Sequence, residues 1–435
     1  MVTTSEWAER PLGEAAELLA GFPFKSEEFT DNSEDIRLLR GLNVANGRVH
    51  WEDCKRWHVN GSSALEPFLL CEGDIVLAMD GMIVGGETRV ARIAKADVPS
   101  LLVQRVARLR ARERFDQGFL YFLLSTDNFR DYLWGMQTGT TISHVSGSQI
   151  QGFRVRFPPL PEQRAIARVL GSLDDKIELN RRMNQTLEEI CRALFKFWFV
   201  DFGPVRAKAE GRWKKGESLP GMPADMWDLW PSEFEESEIG DVPKGWGVGG
   251  LGKVASCRRD IVDPSEIDPQ ERYVGLEHIT PMSLSLWRWG RVGDTVSGKA
   301  RFKRGEILFG KLRPYFHKVS VPWFDGVAST DILTIAPKSP DWFGFALGHF
   351  SSTALVDYAT AASNGTKMPR TSWEDLARWQ VAMPPVELGR SLSAVFRPLV
   401  SKMGKAIEES TVLGETRDAL LPKLLSGEIR VKVDA

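Results

Sequence analysis

Two stretches of the chain concentrate positive charge, and charge at this density attracts the phosphate backbone of a nucleic acid. Residues 88–114 carry eight Arg or Lys side chains and two carboxylates, a net charge of +6. Residues 299–318 carry seven basic side chains and one carboxylate, again +6. A single basic stretch is usually a solvated face, but its recurrence favours a binding role. Seven carboxylates between residues 225 and 241 help to bring the net charge of the whole chain to −2.

Signatures of catalysis are absent from the sequence. It contains no GxxxxGK(S/T) phosphate loop, no HExxH, no GxSxG elbow and no GxGxxG after a predicted strand. The six histidines are scattered without i, i+4 pairs, so no metal site is predicted. Asp174 and Asp175 are neighbours on a predicted helix, where adjacent side chains diverge by about 100°, so both should face solvent or a partner. This pattern favours a binding protein.

The length and composition of the chain limit the number of domains and the class of protein. The 435 residues, 43% hydrophobic and 26% charged, suffice for two domains with their own cores. No apolar run approaches the roughly 18 residues of a membrane span, and the N-terminus has no leader pattern, so we predict a cytoplasmic protein without a membrane partner. We predict reduced, mostly buried thiols, because the four cysteines lie far apart without a CxxC pair: Cys54, Cys71, Cys191 and Cys257.

Much of the sequence forms an internal repeat of two copies. Trp7 recurs as Trp246 at an offset of 239, and residues 73–75 (GDI) recur as 305–307 (GEI) at an offset of 232. Three further pairs share an offset of 226: Gly118 with Gly344, Gly139 with Gly365, and Pro158 with Pro384. A period this long indicates a duplicated domain, and two similar domains imply a pseudo-twofold arrangement with two related binding surfaces.

Each copy ends in a long predicted helix. From Glu162 to Phe199 there is no proline. Mostly apolar residues recur there in steps of four and three, as they do on the face of a coiled-coil helix that contacts its partner; we call this face the seam. Adding 226 to these residue numbers gives the corresponding seam of the second copy. The residues predicted to pair are Leu170, Leu173, Ile177, Asn180, Asn184, Leu187 and Leu194 in the first helix, and Leu399, Met403, Ala406, Ser410, Leu413 and Leu420 in the second.

Two seams of equal length in one chain can bury each other, and the duplication predicts that they pair antiparallel. Centring the overlap places Asn180 near Ser410 and Asn184 near Ala406, in a polar layer that fixes the register. Pro398 lies inside the second seam and predicts a kink or a later helix start.

The predicted fold class is α+β, with two similar mixed α/β domains separated by two long helices that pair as an antiparallel coiled coil. Strands are predicted at residues 74–79 and 306–309, and amphipathic helices at 116–133 and 342–359. The segment between the copies is rich in Gly, Pro and Trp and predicts a crossing linker, with tryptophans packed on a domain or a partner. The predicted boundaries are 1–160 for the first domain, 161–202 for its helix, 203–245 for the linker, 246–386 for the second domain, 387–427 for its helix and 428–435 for the tail.

Five segments carry a family resemblance. They are residues 157–164 (FPPLPEQR), 174–177 (DDKI), 197–202 (FWFVDF), 237–246 (SEIGDVPKGW) and 420–429 (LLPKLLSGEI). Over its whole length the chain resembles the specificity subunit of a type I restriction-modification system. The second proline motif, PPVELGR at residues 384–390, departs from the LPEQR of the first copy.

The resemblance implies that each repeat body is a target recognition domain that reads one half of a bipartite DNA sequence. The paired helices would be a ruler that fixes the number of unspecified base pairs between the halves. Basic side chains would contact phosphates and polar loop residues would read base edges. The candidate contacts are Arg89, Arg92, Gln104, Arg105, Thr140, Thr141, Ser143 and His144 in the first domain, and Lys311, Arg313, His317, Thr366, Lys367 and Arg370 in the second.

The resemblance also implies that this chain holds no cofactor. In the family, modification subunits bind S-adenosylmethionine and methylate adenine, and restriction subunits translocate and cut DNA with ATP and Mg²⁺. The helices would dock two modification subunits and the restriction subunits. Two alternatives stay open: a single-chain methyltransferase or nuclease, which would have to bind S-adenosylmethionine unaided, and a coiled-coil adaptor for proteins, against which the two basic stretches argue.

Overall fold

The computed structural model describes residues 7–59, 63–136, 144–219, 221–294, 297–363 and 368–432. The chain divides into two compact units, here called the first unit (residues 1–176 and 413–435) and the second unit (residues 177–412). The boundaries between the units fall inside the two long helices, so each helix contributes one part to each unit.

The first unit is built on a four-stranded antiparallel sheet. Its strands lie in the order Val90–Arg92, Ile75–Ala78, Val106–Ala111 and Ala16–Ala20. All four residues of the strand Ile75–Ala78 are buried. Ile75 and Leu77 belong to one hydrophobic cluster, whereas Val76 and Ala78 belong to another. Both faces of this strand are therefore covered, as the alternation of side chains along a strand requires.

The second unit repeats this design. Its four-stranded sheet has the order Val319–Ser320, Ile307–Gly310, Ile332–Pro337 and Ala255–Arg258. Each unit also contains a parallel strand pair, Ser100–Leu102 with Ile36–Leu39 in the first and Gly326–Ser329 with Arg272–Val274 in the second. The helices that follow the two sheets begin at Gln117 and at Phe343, a pair related by the repeat offset of 226. The shared strand order and offset confirm the predicted duplication.

The other elements complete each unit. The further strands of the first unit are Ala8–Pro11, Val44–Ala45, Arg48–Val49, Lys55–Trp57, Ile83–Val84, Glu87–Thr88 and Arg154–Phe157. Those of the second unit are Phe234–Ser237, Gly240–Pro243, Gly247–Gly250, Ile261–Val262, Gly290–Arg291, Lys299–Phe302 and Gln380–Met383. The shorter α-helices are Leu12–Ala15, Gln117–Leu124, Asp127–Gly135 and Gly147–Gln151, then Gly203–Ala209, Phe343–Phe350, Thr353–Ala361 and Trp373–Arg378.

The amphipathic helices predicted at residues 116–133 and 342–359 are each two helices, so the prediction of single helices was wrong. The interruptions fall at equivalent positions. The hydroxyl of Thr126 accepts a hydrogen bond from the amide of Phe129 at 3.2 Å, and the hydroxyl of Ser352 accepts one from Leu355 at 3.3 Å. A side chain that caps a new helix competes with continuation of the preceding one, so the chain turns there.

Two helices of 40 and 41 residues follow the two sheets: the central helix, Leu160–Phe199, and the distal helix, Val386–Ser426. The distal helix runs through Pro398, so the expected later start was wrong. Pro398 is exposed, and water can solvate the carbonyl that lacks a helical partner. Every residue of the predicted seam is at least partly buried: Leu170, Asn180, Asn184, Leu187, Met403, Ala406 and Ser410 are buried, and Leu173, Ile177, Leu194, Leu399, Leu413 and Leu420 are partly buried.

The segment predicted as a linker is a folded part of the second unit. It contains the helix Gly203–Ala209 and an antiparallel hairpin over residues 234–243. Trp230 is buried, and its ring centre lies 6.0 Å from that of Trp198 and 5.6 Å from that of Trp246. Packing of its tryptophans on a domain was predicted from the sequence, but the helix and the hairpin were not.

Two expectations drawn from composition can be compared with the structure. All four cysteines are free, but only Cys191 is buried and Cys71 is exposed, so the expectation of mostly buried thiols was wrong. Within the described ranges, no helix combines the length and the apolar character that crossing a membrane requires.

Candidate nucleic-acid interface

Three polar side chains of the first unit converge near the ends of its central strands, and we call them the first polar cluster. Asp80 follows the strand Ile75–Ala78, Arg105 precedes the strand Val106–Ala111, and His144 forms a backbone bridge with Asp80. Nδ1 of His144 lies 2.6 Å from Oδ1 of Asp80. Nη1 of Arg105 lies 3.0 Å from Nε2 of His144, and its Nε lies 3.6 Å from Oδ2 of Asp80.

The backbone around Arg105 is constrained. Arg105 has a left-handed conformation with a φ of +70°, which is uncommon for a residue with a Cβ and costs on the order of 1 kcal/mol. The amide of Met79 donates to the carbonyl of Arg105 at 2.8 Å, and the amide of Gln104 donates to that of Phe22 at 2.9 Å. The side chain of Arg105 is 52% exposed. The turn therefore presents a guanidinium group to solvent from a fixed backbone.

The second unit has a corresponding pair of polar side chains, Asp331 and Arg370, which we call the second polar cluster. The backbone of Leu312 forms an antiparallel bridge with that of Arg370. Nε of Arg370 lies 3.3 Å from Oδ1 of Asp331, and the Arg370 side chain is 51% exposed. The amide of Lys311 donates to the carbonyl of Asp331 at 2.9 Å, which ties the two strand ends together.

The two clusters occupy equivalent places in the duplicated fold. The repeat offset of 226 relates Arg105 to Asp331, and each directly precedes the third strand of its sheet. The same offset relates His144 to Arg370, and each lies in a backbone bridge to the segment after the second strand of its sheet. The turn thus carries the cation in the first unit and the anion in the second, and the arginine of the second unit lies at the position of His144.

Arg89, one of the predicted DNA contacts, is engaged inside the first unit. Its Nε donates to the carbonyl of Val44 at 2.9 Å, its Nη1 donates to that of Gly81 at 3.1 Å, and its Nη2 donates to that of Gly41. Burial lowers the pKa of this guanidinium. Because these carbonyls already occupy its donors, we no longer propose that Arg89 contacts DNA. Its role is to hold the surrounding loops together.

Arg92 and Gln104 are in different situations. Nη2 of Arg92 lies 3.2 Å from Oδ1 of Asp175 on the central helix, and its guanidinium lies 5.7 Å from the ring centre of Tyr121. Arg92 therefore attaches the sheet to the helix. Gln104 is exposed in the turn beside Arg105 and stays a predicted contact.

In the second unit, Arg313 and His317 flank a short turn, and both have a φ of +50°. Nε2 of His317 donates to the carbonyl of Ser351 at 2.9 Å. Burial lowers the pKa of His317, so its imidazole is a poor partner for a phosphate. Lys311 and Arg313 stay predicted contacts, whereas His317 is assigned to holding the turn.

Five predicted contacts lie outside the described residues: Thr140, Thr141, Ser143, Thr366 and Lys367. In the sequence they immediately precede His144 and Arg370, or come a few positions before them. They stay predictions.

The two basic stretches are less available for phosphates than their net charge suggests. Arg108 is 5% exposed, and burial lowers its pKa. The carboxylate of buried Asp74 holds Arg110 at an Nε to Oδ1 distance of 2.5 Å. Lys299 is 1% exposed, and burial lowers its pKa. These side chains are part of the internal structure of the units. Fewer basic residues are therefore available to contact DNA than the net charge of the two stretches predicts.

The predicted polar layer between the helices is present in the second unit. Nδ2 of Asn180 lies 3.1 Å from Oγ of Ser410, its predicted neighbour. Nδ2 of Asn184 donates to the carbonyl of Met403 at 3.1 Å and not to Ala406, whose carbonyl accepts from Asn180. Asn180 contacts Ser410, whereas Asn184, four residues later, contacts the earlier Met403. The two helices therefore pair antiparallel.

Two side chains of the first proline motif are buried and hydrogen-bonded. Glu162 accepts a hydrogen bond from the indole of Trp7 at 3.3 Å and one from Nη2 of Arg430 at 2.8 Å. Oε1 of Gln163 accepts from the amide of Asp116 at 2.9 Å. The motif therefore fastens the start of the central helix to the sheet domain and to the C-terminal tail of the same unit.

Asp80 and Asp331 were not predicted, because a site for a polyanion is expected to carry basic and neutral polar side chains. The repeat offered a signal, since the offset of 226 aligns Arg105 with Asp331. Within the parts of the chain that the structure describes, no group of three or more His, Cys, Asp or Glu side chains could hold a metal ion.

Three comparisons place the chain among known proteins. The family model described as the type I restriction modification DNA specificity domain matches residues 4–189. The type I restriction enzyme HindI specificity subunit of Haemophilus influenzae is 40% identical over 363 residues, which cover 72% of this chain and 77% of that protein. The match to the MjaVIII specificity subunit of Methanocaldococcus jannaschii, 28% identical, spans about half of both proteins, 47% of each.

A solved structure shares the fold. The S subunit of a type I restriction-modification system from M. genitalium matches with a TM-score of 0.54 at 17% identity, covering 98% of both chains. At this identity the likeness concerns the fold alone.

Proposed function

This chain belongs to the family of type I restriction-modification specificity subunits, and from that membership we propose that each unit reads one half of a bipartite DNA sequence. It acts as a DNA-recognition subunit and leaves the chemistry to its partners. The observation that carries the proposal is the pair of polar clusters, which occupy equivalent places but carry the cation and the anion at different positions of the repeat. Two related surfaces with different hydrogen-bonding groups suit two different half-sites.

The contacts divide into two kinds. Partly exposed basic residues such as Lys311 would neutralise phosphates and position each unit without reading sequence. The polar clusters, with Gln104 beside the first, would face the base edges. Arg313, which follows Leu312 in the second unit and has a left-handed backbone, is proposed to join them.

The helices would set the spacer between the half-sites. A helix of 40 residues is about 60 Å long, which corresponds to between one and two turns of duplex. The buried Asn180 and Asn184 support a fixed register, because sliding one helix along the other would leave their amides without partners.

The partners follow from the family. We propose that two modification subunits carry S-adenosylmethionine, that restriction subunits supply ATP- and Mg²⁺-dependent translocation and cleavage, and that both dock on this chain. Leu179 and Val412 support docking on the helices, because both are apolar yet 60% and 57% exposed.

DNA affinity as a function of salt tests the proposal. The chain assembled with its modification subunit should lose on the order of 10³-fold in affinity between about 50 and 200 mM salt, because phosphate contacts release counterions. Lys311→Ala should lower the slope of log affinity against log salt by about one. Lys244→Ala, which removes a cation paired with Glu233 next to the hairpin over residues 234–243, is the matched control and should leave the slope unchanged.

Affinity that does not change with salt would contradict the proposal and favour the protein-binding adaptor. Binding of S-adenosylmethionine by the isolated chain would instead favour the single-chain methyltransferase.

A further inference from the structure

We infer that Arg105 and Arg370 each read a guanine, one in each half-site. The inference rests on the proposed function and specifies the base that each polar cluster recognises. Arginine binds the O6 and N7 atoms of guanine in the major groove with two parallel hydrogen bonds, which requires that one edge of the guanidinium is free and held in place.

A carboxylate lies near Nε of both arginines. In each, the atom closest to the carboxylate is Nε: it lies 3.6 Å from Oδ2 of Asp80 in Arg105 and 3.3 Å from Oδ1 of Asp331 in Arg370. A carboxylate at Nε orients the planar group and does not occupy the edge formed by Nη1 and Nη2. In Arg105, Nη1 also donates to Nε2 of His144, so a base would bind the second hydrogen of Nη1 and Nη2. The two arginines are 52% and 51% exposed.

The carboxylates argue for a base and against a phosphate as the ligand. A phosphate placed on the guanidinium edge would lie within a few ångströms of Asp80 or Asp331, and like charges at that distance repel. A guanine edge is neutral and presents two acceptors. The carboxylate can also accept from an exocyclic amine of a neighbouring base, which a phosphate contact would not use.

His144 strengthens the case in the first unit. Its Nδ1 lies 2.6 Å from Oδ1 of Asp80, and its ring lies against Nη1 of Arg105. The carboxylate and the imidazole together restrict the rotamers of Arg105, which lowers the entropy lost when a base binds. The left-handed backbone of Arg105 adds a strained residue at the point where recognition is proposed.

The two arginines lie at different positions of the repeat. The arginine comes from the turn in the first unit but from the position of His144 in the second. The two guanines should therefore occupy different places within their half-sites.

Mapping of genome-wide adenine methylation tests the inference, using the full chain with its modification subunit in a methylation-free host. Arg105→Gly is the first variant, because glycine adopts the positive φ of this position without strain and preserves the turn. Arg370→Ala is its counterpart in the second unit. The matched controls are Arg154→Ala and Arg390→Ala, which remove exposed arginines paired with Glu9 and Asp341 away from the clusters.

We expect Arg105→Gly to lose the preference for one G·C pair in one half-site by on the order of 10- to 100-fold, with the other half-site unchanged. Arg370→Ala should do the same in the other half-site, and the controls should keep the wild-type motif. Arg105→Lys, which keeps the charge but loses the planar fork, should weaken the same preference if the glycine variant does not assemble.

A uniform fall in methylation without a changed base preference would overturn the inference and assign both arginines to phosphates. Relaxation at an A·T position would overturn it as well. In either case a normal two-part motif from the wild-type complex leaves the proposed function standing, whereas absence of that motif would remove the function and the inference together.

Discussion

Glu162 and Leu388 occupy equivalent positions in the first turns of the central and distal helices, related by the repeat offset of 226. Both are buried, at 4% and 0% exposure. Glu162 binds the indole of Trp7 and the guanidinium of Arg430. In the second unit the tryptophan equivalent to Trp7 is Trp246, and its indole nitrogen has no hydrogen-bond partner among the described residues. This polar clamp in one unit and its apolar counterpart in the other explain why the second proline motif departs from the first.

Arg430→Ala should therefore destabilise the first unit. It leaves the buried carboxylate of Glu162 without its cation, and a loss of about 3 kcal/mol in the free energy of unfolding is expected. Denaturant unfolding of the full chain measures it. Glu162→Leu combined with Arg430→Ala copies the second unit and should recover most of the loss. Arg154→Ala breaks an exposed pair and should cost less than about 0.5 kcal/mol. Equal losses in Arg430→Ala and Arg154→Ala would contradict the clamp.

Replacing Asn180 and Asn184 by Leu should stabilise the helices but loosen their register. The Oδ1 atom of Asn184 is buried without a hydrogen-bond partner in the described part of the chain, so an apolar side chain removes an unfavourable burial. We expect a melting temperature higher by a few degrees and more than one spacer length in the methylated motif. Gln185→Leu, on the exposed face, is the control and should keep one spacer. A single unaltered spacer in the double variant would argue against the polar layer.

Adding one heptad to each helix should lengthen the spacer by about three base pairs, since a heptad adds about 10.5 Å and one base pair occupies about 3.4 Å. Insertions after Lys176 and after Val412 keep the heptad pattern of both seams. An insertion in the central helix alone shifts the register and is expected to abolish methylation. If the doubly lengthened chain methylates with the original spacer, the helices are not the ruler.

The cysteines should differ sharply in reactivity. Burial raises the pKa of Cys191 to about 12, so its thiol is protonated and inaccessible at neutral pH. Cys71 is exposed. Iodoacetamide at neutral pH should modify Cys71 in the native chain and spare Cys191 until the protein is unfolded, as measured by mass spectrometry of the peptides. Equal labelling of both in the native chain would show that the core of the second unit is open.

The repeat made much of the fold predictable. The offset of 226 relates four helices of the first copy of the repeat to four of the second, because the copies differ in loop length only ahead of the third strand of each sheet. The seam was readable because coiled-coil packing depends on local spacing. The breaks at Thr126 and Ser352 were not foreseen, since apolar periodicity continues across them and only the capping hydroxyls mark the ends.

The candidate site was predictable only in part. Residue type identified Arg105, His144 and Arg370 as possible contacts, but their role depends on Asp80 and Asp331, which lie far from their partners in sequence. The same limit explains Arg89 and Arg110. Counting charges cannot show that carbonyl groups surround one of them and that Asp74, 36 residues away, neutralises the other.

The measurement that tests the central claim most directly is the adenine methylation pattern of a methylation-free host that expresses this chain with its modification subunit, compared with the modification subunit alone. We predict one new two-part motif with a gap of fixed length, present only when this chain is expressed. A soluble, assembled complex that produces no new motif, or a motif without a gap, would contradict the assignment of one half-site to each unit.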